Sequence, residues 1–447
     1  MKSRNPADGG RLRDWLLAQA CCILLGGGVA SLPCAVEAGS AAAGFETPPA
    51  LAIADVLPVA LTAGTDFQVE SPLYSDGLMF PFVIDSPYGQ FSAYGRTALE
   101  LRIHEIAALT ELHRTSPAAV VAGSVTRGIG SQVGTAVTVV THPVATITGI
   151  PRGIAHLFHG YVDEGRETVA DVDRAVAPGD GPKAPVTAGA AAAKGETAAK
   201  HYATRYLGVS AAERHWYEKL GVDPYTDNEV LRRAIHRTAK LDAAAGFGLR
   251  FVGIPSIPGI GDIRQVMDAV YKEDPATLRA RNRATLADYG LTPAEIDRWQ
   301  NVLVMSPTRQ VLLLQLAAQL AGVEGRGELF RHAIGLSSDG EARVYLRSVG
   351  LLVQAHREHP VAAVLPGLRL PAARRADGSV IVCGAFDAVY WTADTAAAEA
   401  AIQAALPADG PRELMLAGSA SPRVRDELAA RGWTVYESPL PDPDANH

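Results

Sequence analysis

Two histidine pairs are the first residues in this chain whose types and spacing could do chemistry. His156 and His159 stand three apart, as do His356 and His359. That spacing places two imidazoles on one helix face, as a metal site needs. A site takes three or four ligands, and neither pair has a nearby cysteine or a third ligand in sequence. His356-Arg357-Glu358-His359 also lacks the order of a zinc-protease helix. Both pairs read as solvated helix-end histidines, so no metal and no other cofactor is expected.

Nucleophiles and phosphate cradles fare similarly. Ser419 and Ser421 follow a strand near Met415, where α/β folds place ligands. With Asp387 and His359 they allow a triad to be drafted, yet no nucleophile-elbow motif surrounds either serine. Ser421 before Pro422 reads as a helix cap. The glycine-rich run at 253–262 lacks the Lys-Ser/Thr ending of a phosphate loop and reads as a packed connection. Cys383 sits in the apolar run Val380-Ile381-Val382-Cys383, where a thiol is a small core residue. Reactive thiols need electropositive, partly exposed surroundings.

The remaining candidate is apolar. Val137, Val140, Val144, Ile147, Ile154 and Phe158 recur every three or four residues, or at multiples of that step, within the weakly charged region 118–160. The other face carries Thr135, Thr138, Thr141 and Thr148, and Pro143 and Pro151 divide the helix. Two roles fit. The stripe packs as core or interaction helices, or it lies on a membrane surface and binds by apolar insertion. It is too interrupted to span a bilayer, which takes about 20 apolar residues.

Elements that position these groups follow from periodicity and capping. Met79 to Asp85 and Phe91 to Gly95 alternate around the turn Ser86-Pro87-Tyr88-Gly89, which predicts a β-hairpin. Leu99, Ile103, Ile106 and Leu109 predict a helix that faces Glu100, Arg102 and Glu105 outward, with Thr97 and Glu100 as its capping box. The same box spacing recurs at Ser210/Glu213, Thr226/Glu229, Thr292/Glu295 and Ser338/Glu341. Val311 to Leu320 is apolar nearly all round and predicts a central buried helix. Strands and helices then alternate from Val361 to Glu437, which predicts a small α/β unit.

The expected fold class is α+β: an N-terminal β-hairpin with helices, a predominantly helical middle domain and a small α/β C-terminal unit. The expected divisions are a signal peptide at 1–38, an irregular lead-in at 39–65 and hairpin plus amphipathic helices at 66–175. A flexible linker at 176–198, a helical domain at 199–360 and an α/β domain at 361–440 follow. The leader rests on Lys2, Arg4, Arg11 and Arg13, an apolar run to Leu32, and Val36-Glu37-Ala38 as a cleavage site. Cys21, Cys22 and Cys34 precede that cut, which leaves Cys383 alone in the mature chain and excludes an internal disulfide there.

Net charge is −7 with both signs interspersed, which argues against a nucleic-acid partner. Ala, Gly and Pro abound and aromatics are few, a high-GC bacterial style of composition. The resulting expectation is an exported bacterial protein of the periplasm or cell envelope. Its role is non-catalytic: interaction, or attachment at a membrane surface through the stripe, with a membrane face or an envelope protein as partner. The alternatives are a periplasmic hydrolase-like enzyme, with its site between the helical and α/β units near His356, His359, Asp387 or Ser419, and a protein-binding scaffold.

Overall fold

The computed structural model describes residues 44–115, 188–241, 264–408 and 410–437. The leader, the apolar stripe 118–160, His156, His159 and the glycine-rich run 253–262 lie outside them. The fold is α+β, with hairpin strands first, helices in the middle and a mixed sheet last.

Near the start, β1 (Ala50–Leu51) leads into two single helical turns, α1 (Ile53–Val56) and α2 (Val59–Thr62). The strands β2 (Ala63–Gly64), β3 (Phe67–Val69), β4 (Leu73–Tyr74), β5 (Pro81–Ser86) and β6 (Gly89–Tyr94) follow. β4 pairs antiparallel with β1, and β2-β3-β5-β6 form an antiparallel sheet. Ser86 opposite Gly89 closes the predicted hairpin at Pro87-Tyr88. Alternation buries Phe82 and Ile84 on the face that takes Leu99 and Ile106 of α3 (Arg96–Thr115). The lead-in is held as well: the Glu46 carboxylate accepts from Trp391 N at 2.6 Å and from the Ser421 hydroxyl at 2.6 Å.

The helical middle runs through α4 (Ala188–Tyr206), α5 (Ala211–Leu220), α6 (Glu229–Leu241) and α7 (Arg264–Lys272). It continues with α8 (Pro275–Asp288), α9 (Pro293–Gln300), α10 (Pro307–Ala318), α11 (Glu328–Ala333) and α12 (Asp339–Glu358). α4 begins within the stretch expected to be a linker, and its Tyr202 and Tyr206 enter the helical core. α10 is the buried central helix that its apolar circumference predicts. α12 is buried along most of its length because it faces helices on one side and a sheet on the other.

That sheet has the order β13-β11-β9-β8-β7, built from β7 (Val361–Val364), β8 (Ala372–Arg375), β9 (Val380–Gly384), β11 (Arg412–Leu416) and β13 (Trp433–Glu437). β9, β11 and β13 run parallel, while β8 is antiparallel to both β9 and β7. The short parallel pair β10 (Ala388–Val389) and β12 (Ser419–Ala420) sits apart from it. The crossovers are α13 (Ala393–Ala405) and α14 (Pro422–Ala430), capped by Thr392 and Ser421. Gly432, at φ +81°, ends α14 as its position predicts.

Candidate functional site

Three of the five capping-box pairs form: Ser210/Glu213, Thr292/Glu295 and Ser338/Glu341. The other two do not, and both failures have a tertiary cause. α3 starts before Thr97, and its N-terminus is served from 291 residues away. The Asp387 carboxylate accepts from Arg96 N at 3.2 Å and from Phe80 N at 3.2 Å. Thr97 Oγ1 is left buried without a hydrogen bond. At α6 the cap is Asn228, whose Oδ1 accepts from Leu231 N at 3.1 Å. The Thr226 hydroxyl instead donates to Glu105.

Thr97 and Thr226 both line one cavity of about 140 Å³. α3 supplies Thr97, Leu101, Arg102 and Glu105, which recur at helical steps of one face. The α5–α6 connection supplies Asp223, Tyr225 and Asp227, and α12 supplies Arg343, Leu346 and Arg347. Val266 and Met267 of α7 and Leu312 of α10 complete an apolar part of the wall. The face of α3 expected to meet solvent is therefore turned inward: Glu105 is 9% exposed. Alternating charge on a helix reads as a solvated face, and only the tertiary partners reverse that.

Those partners form a buried ion network. Arg102 donates to Glu105 at 2.6 Å and to Asp227 at 2.8 Å, and Arg343 donates to the other Asp227 oxygen at 2.8 Å. Asn228 Nδ2 donates to Glu105 at 3.0 Å. Burial alone would raise the Asp227 carboxyl, but Arg343 and Arg102 outweigh it and hold it well below the usual carboxylate range. Burial dominates at Glu105 and raises its carboxyl against the pull of Arg102, Thr226 and Asn228. Asp223 is likewise raised by burial, although it accepts from Thr308 Oγ1 at 2.6 Å and from Tyr225 N at 2.9 Å. His104 is pushed toward its neutral form by burial and donates through Nε2 to the Gly221 carbonyl at 3.0 Å.

Three cavity groups stay unmet. Thr97 Oγ1, Tyr225 Oη and Arg347 Nε are buried without a hydrogen-bond partner, and their residues are 6%, 5% and 5% exposed. Arg347 makes no hydrogen bond or ion pair to another described residue. Burial lowers its pKa, while Asp387 and Glu100 act on it through space in the opposite sense. An unmet buried polar atom costs about 1–3 kcal/mol, and a charged one more. Each of the three is an unmet buried group on a residue that lines the cavity.

A second cavity, of about 60 Å³, lies between the C-terminal sheet and the helices α13 and α14, among Val382, Phe386, Leu416, Val424 and Trp433. Its two polar neighbours are satisfied. Thr395 Oγ1 donates to the Tyr390 carbonyl at 2.7 Å, and Trp433 Nε1 donates to Glu399 at 2.8 Å.

Of the residues drafted for catalysis the structure brings Asp387 and Ser419 together, Ser419 N donating to the Asp387 carbonyl at 3.2 Å, but the side chains form no triad. The Asp387 carboxylate is taken up by the two backbone N–H groups, and burial raises its pKa to about 6. His356 Nδ1 accepts from Val361 N at 3.2 Å, and His359 is an exposed helix cap. Ser419 is exposed on β12, whereas Ser421 Oγ caps α14 by accepting from Val424 N at 3.1 Å. Cys383 is buried, and burial pushes its thiol far above the range of a reactive thiolate. Among the described residues no cluster of three potential metal ligands occurs, and no helix is long and apolar enough to cross a membrane. Comparison with protein-family models, curated proteins and solved structures gave no match.

Proposed function

We propose that this chain is an exported envelope protein that acts by binding a small ligand in the cavity beneath α3 and α12, without catalysing a reaction on it. One observation carries the reading. One cavity is lined by three residues that carry a buried polar atom without a partner, whereas the carboxylates Glu105, Asp223 and Asp227 beside it are committed to structural hydrogen bonds. A catalytic acid or base needs a free lone pair or proton within reach of substrate. Glu105 and Asp223 spend theirs on Arg102, Thr226, Asn228, Thr308 and the Tyr225 N–H.

A fragment library screened by ligand-detected NMR tests this. Binders should appear with the purified chain and vanish with Leu346→Trp, which fills the cavity and whose fold circular dichroism checks. A chain with no binder would sink the reading. Export is tested separately by osmotic-shock fractionation with and without residues 1–38.

Membrane-surface attachment through Val137, Val140, Val144, Ile147, Ile154 and Phe158 belongs to the same proposal. The elements flanking that segment in sequence, α3 and α4, contribute Leu112, Tyr202 and Tyr206 to one core. Liposome flotation with Val140→Asp and Ile147→Asp together tests it, and unchanged flotation would remove the attachment role.

A further inference from the structure

We propose that the exposed face of α6 docks on an anionic membrane surface, with a lipid phosphate seated in the groove beside it by Arg205 and Arg232. This surface is separate from the cavity beneath α3 and α12 and from the apolar stripe, and it stands or falls apart from both.

Charge on one helix is the first observation. α6 carries Arg232, Arg233, Arg237 and Lys240 against a single acid, Glu229, in a chain whose net charge is −7. Leu231, Ile235 and Thr238 are buried. Arg233, His236, Arg237 and Lys240 share the exposed face, at helical steps of three and four. Arg237 and Lys240 have no ion pair among the described residues. A row of bases on one face is drawn to a surface of anionic lipid.

The groove is the second. It measures about 380 Å³ and is lined by Arg205 of α4, Glu213 of α5, and Glu229, Arg232, Arg233 and His236 of α6. Its two carboxylates are spent. Glu213 accepts from Ser210 N at 2.7 Å and pairs with His236 at 2.6 Å, and Glu229 takes Arg233. Arg205 lies 3.9 Å from Asp339, beyond a hydrogen bond, and Asp339 is held by Arg309 at 2.5 Å. Arg232 has no ion pair among the described residues. Two guanidiniums from different helices thus keep donors for one anion, and the guanidinium fork matches phosphate oxygens.

The rim is the third. Leu207, next to the groove residue Gly208, is 40% exposed, and Val230, next to Glu229, is 38% exposed. Aliphatic side chains beside a basic face suit the boundary between headgroups and acyl chains. A groove for single-stranded nucleic acid would offer aromatic faces to the bases.

Cosedimentation with vesicles of phosphatidylcholine, alone or mixed with phosphatidylglycerol, tests the proposal. The purified chain should prefer the anionic vesicles, and added salt should remove the preference by screening it. Each base near an anionic surface contributes about fivefold, so Arg237→Gln with Lys240→Gln should cost about twenty-fivefold on anionic vesicles and nothing on neutral ones. Both residues are exposed, so this variant does not depend on a buried contact. Arg205→Gln reads the seat, and should cost more on phosphatidylglycerol than on vesicles charged with oleate, which has no phosphate. Val140→Asp with Ile147→Asp separates the stripe, since it should lower binding to both vesicle types and leave the anionic preference intact. Absence of binding to anionic vesicles, equal binding to neutral ones, or a preference that the α6 variant leaves unchanged would overturn the proposal. Glycerol phosphate or single-stranded DNA binding with the same α6 dependence, in place of vesicles, would overturn the lipid as the source of the anion.

Discussion

The cavity beneath α3 and α12 and the cavity behind the C-terminal sheet are both bounded by helices and apolar side chains, but their polar groups are treated differently. Behind the sheet, Thr395 and Glu399 approach an apolar void and each is hydrogen-bonded away from it. Such a space stays dry, and its cost is the missing contacts of its lining. Beneath α3, Thr97, Tyr225 and Arg347 are left open. The free energy of an unmet donor exceeds that of a small void, so the fold sustains a larger penalty there. Penalties of that kind concentrate where a protein does its work. The contrast separates a packing imperfection from a site, although both are cavities.

The sharpest way to break the contrast uses two arginines of the same wall. Arg102→Met strands Glu105 and weakens the hold on Asp227, and urea denaturation should report a loss of about 3–5 kcal/mol. Arg347→Met removes a charge that no hydrogen bond holds and that Asp387 and Glu100 oppose only through space, so the ligand-free chain should lose clearly less than Arg102→Met. Equal losses in the two variants would mean that Arg347 is compensated after all, and the distinction between the cavities would fall.

Asp387 gives the next largest effect, because it closes the N-terminus of α3 on the edge of the first cavity. Its carboxyl rises from 3.8 to about 6 through burial and Asp76, against the pull of the Phe80 and Arg96 N–H groups and Arg347. A raised folded-state pKa means that the neutral form is favoured on folding. That stability is fully present below pH 3.8 and is lost as pH rises through about 6. Asp387→Asn keeps an acceptor for both N–H groups and cannot ionise. Its stability advantage over the native chain should grow by up to ~3 kcal/mol between pH 4 and pH 7. A pH-independent difference in urea titrations would show that Asp387 does not feel its burial.

These two cases also show what the sequence could carry. Hairpin, central helix and terminal α/β unit were legible because each is written in local periodicity and turn chemistry: Phe82 and Ile84 alternate, Val311 to Ala317 is apolar nearly all round, and Gly432 stops a helix. The cavity was not legible, and the reason is specific. Thr97 and Thr226 carry the local signature of a cap, and Glu100, Arg102 and Glu105 that of a solvated face. Asp387, Asn228 and Asp227 override those signatures from 291, 2 and 125 residues away. The one sequence-level trace is the neighbourhood itself: Asp223, Thr226, Asp227 and Asn228 crowd a short connection between helices, where one capping residue would suffice. The histidine pair at 356 and 359 has the spacing of a metal site, but His356 Nδ1 accepts from Val361 N and His359 caps α12.

A smaller effect tests whether the open hydroxyls are as unmet as they look. Tyr345 is as deeply buried as Tyr225, but its hydroxyl donates to the Leu329 carbonyl at 2.7 Å. Tyr345→Phe should cost about 1 kcal/mol or somewhat more, because it also orphans that carbonyl. Tyr225→Phe breaks no hydrogen bond and leaves no group newly stranded, so the ligand-free chain should change by less than about 0.5 kcal/mol or become more stable. Similar losses from the two substitutions would indicate that a water satisfies Tyr225, and the cavity would then be occupied by solvent in place of a ligand.

The smallest effect concerns the second cavity. Val382 of β9 lines it and is fully buried. Val382→Ile keeps the branched shape that a strand favours and adds one methylene toward the void. If the space is a dry imperfection, thermal or urea denaturation should show a gain of ~0.8 kcal/mol. A loss of about 1–3 kcal/mol would mean that the lining cannot accept the group and that the void is rigidly shaped. Fragment binding in the first cavity supplies the second readout and should not change. Ser348 of α12 ties the two regions together, because Ala385 N, just beyond β9, donates to its hydroxyl at 2.9 Å. Arg347 is the neighbouring residue on that helix. Altered fragment binding in Val382→Ile would therefore mean that packing behind the sheet reaches the first cavity through α12, and the two cavities would have to be treated as one coupled system.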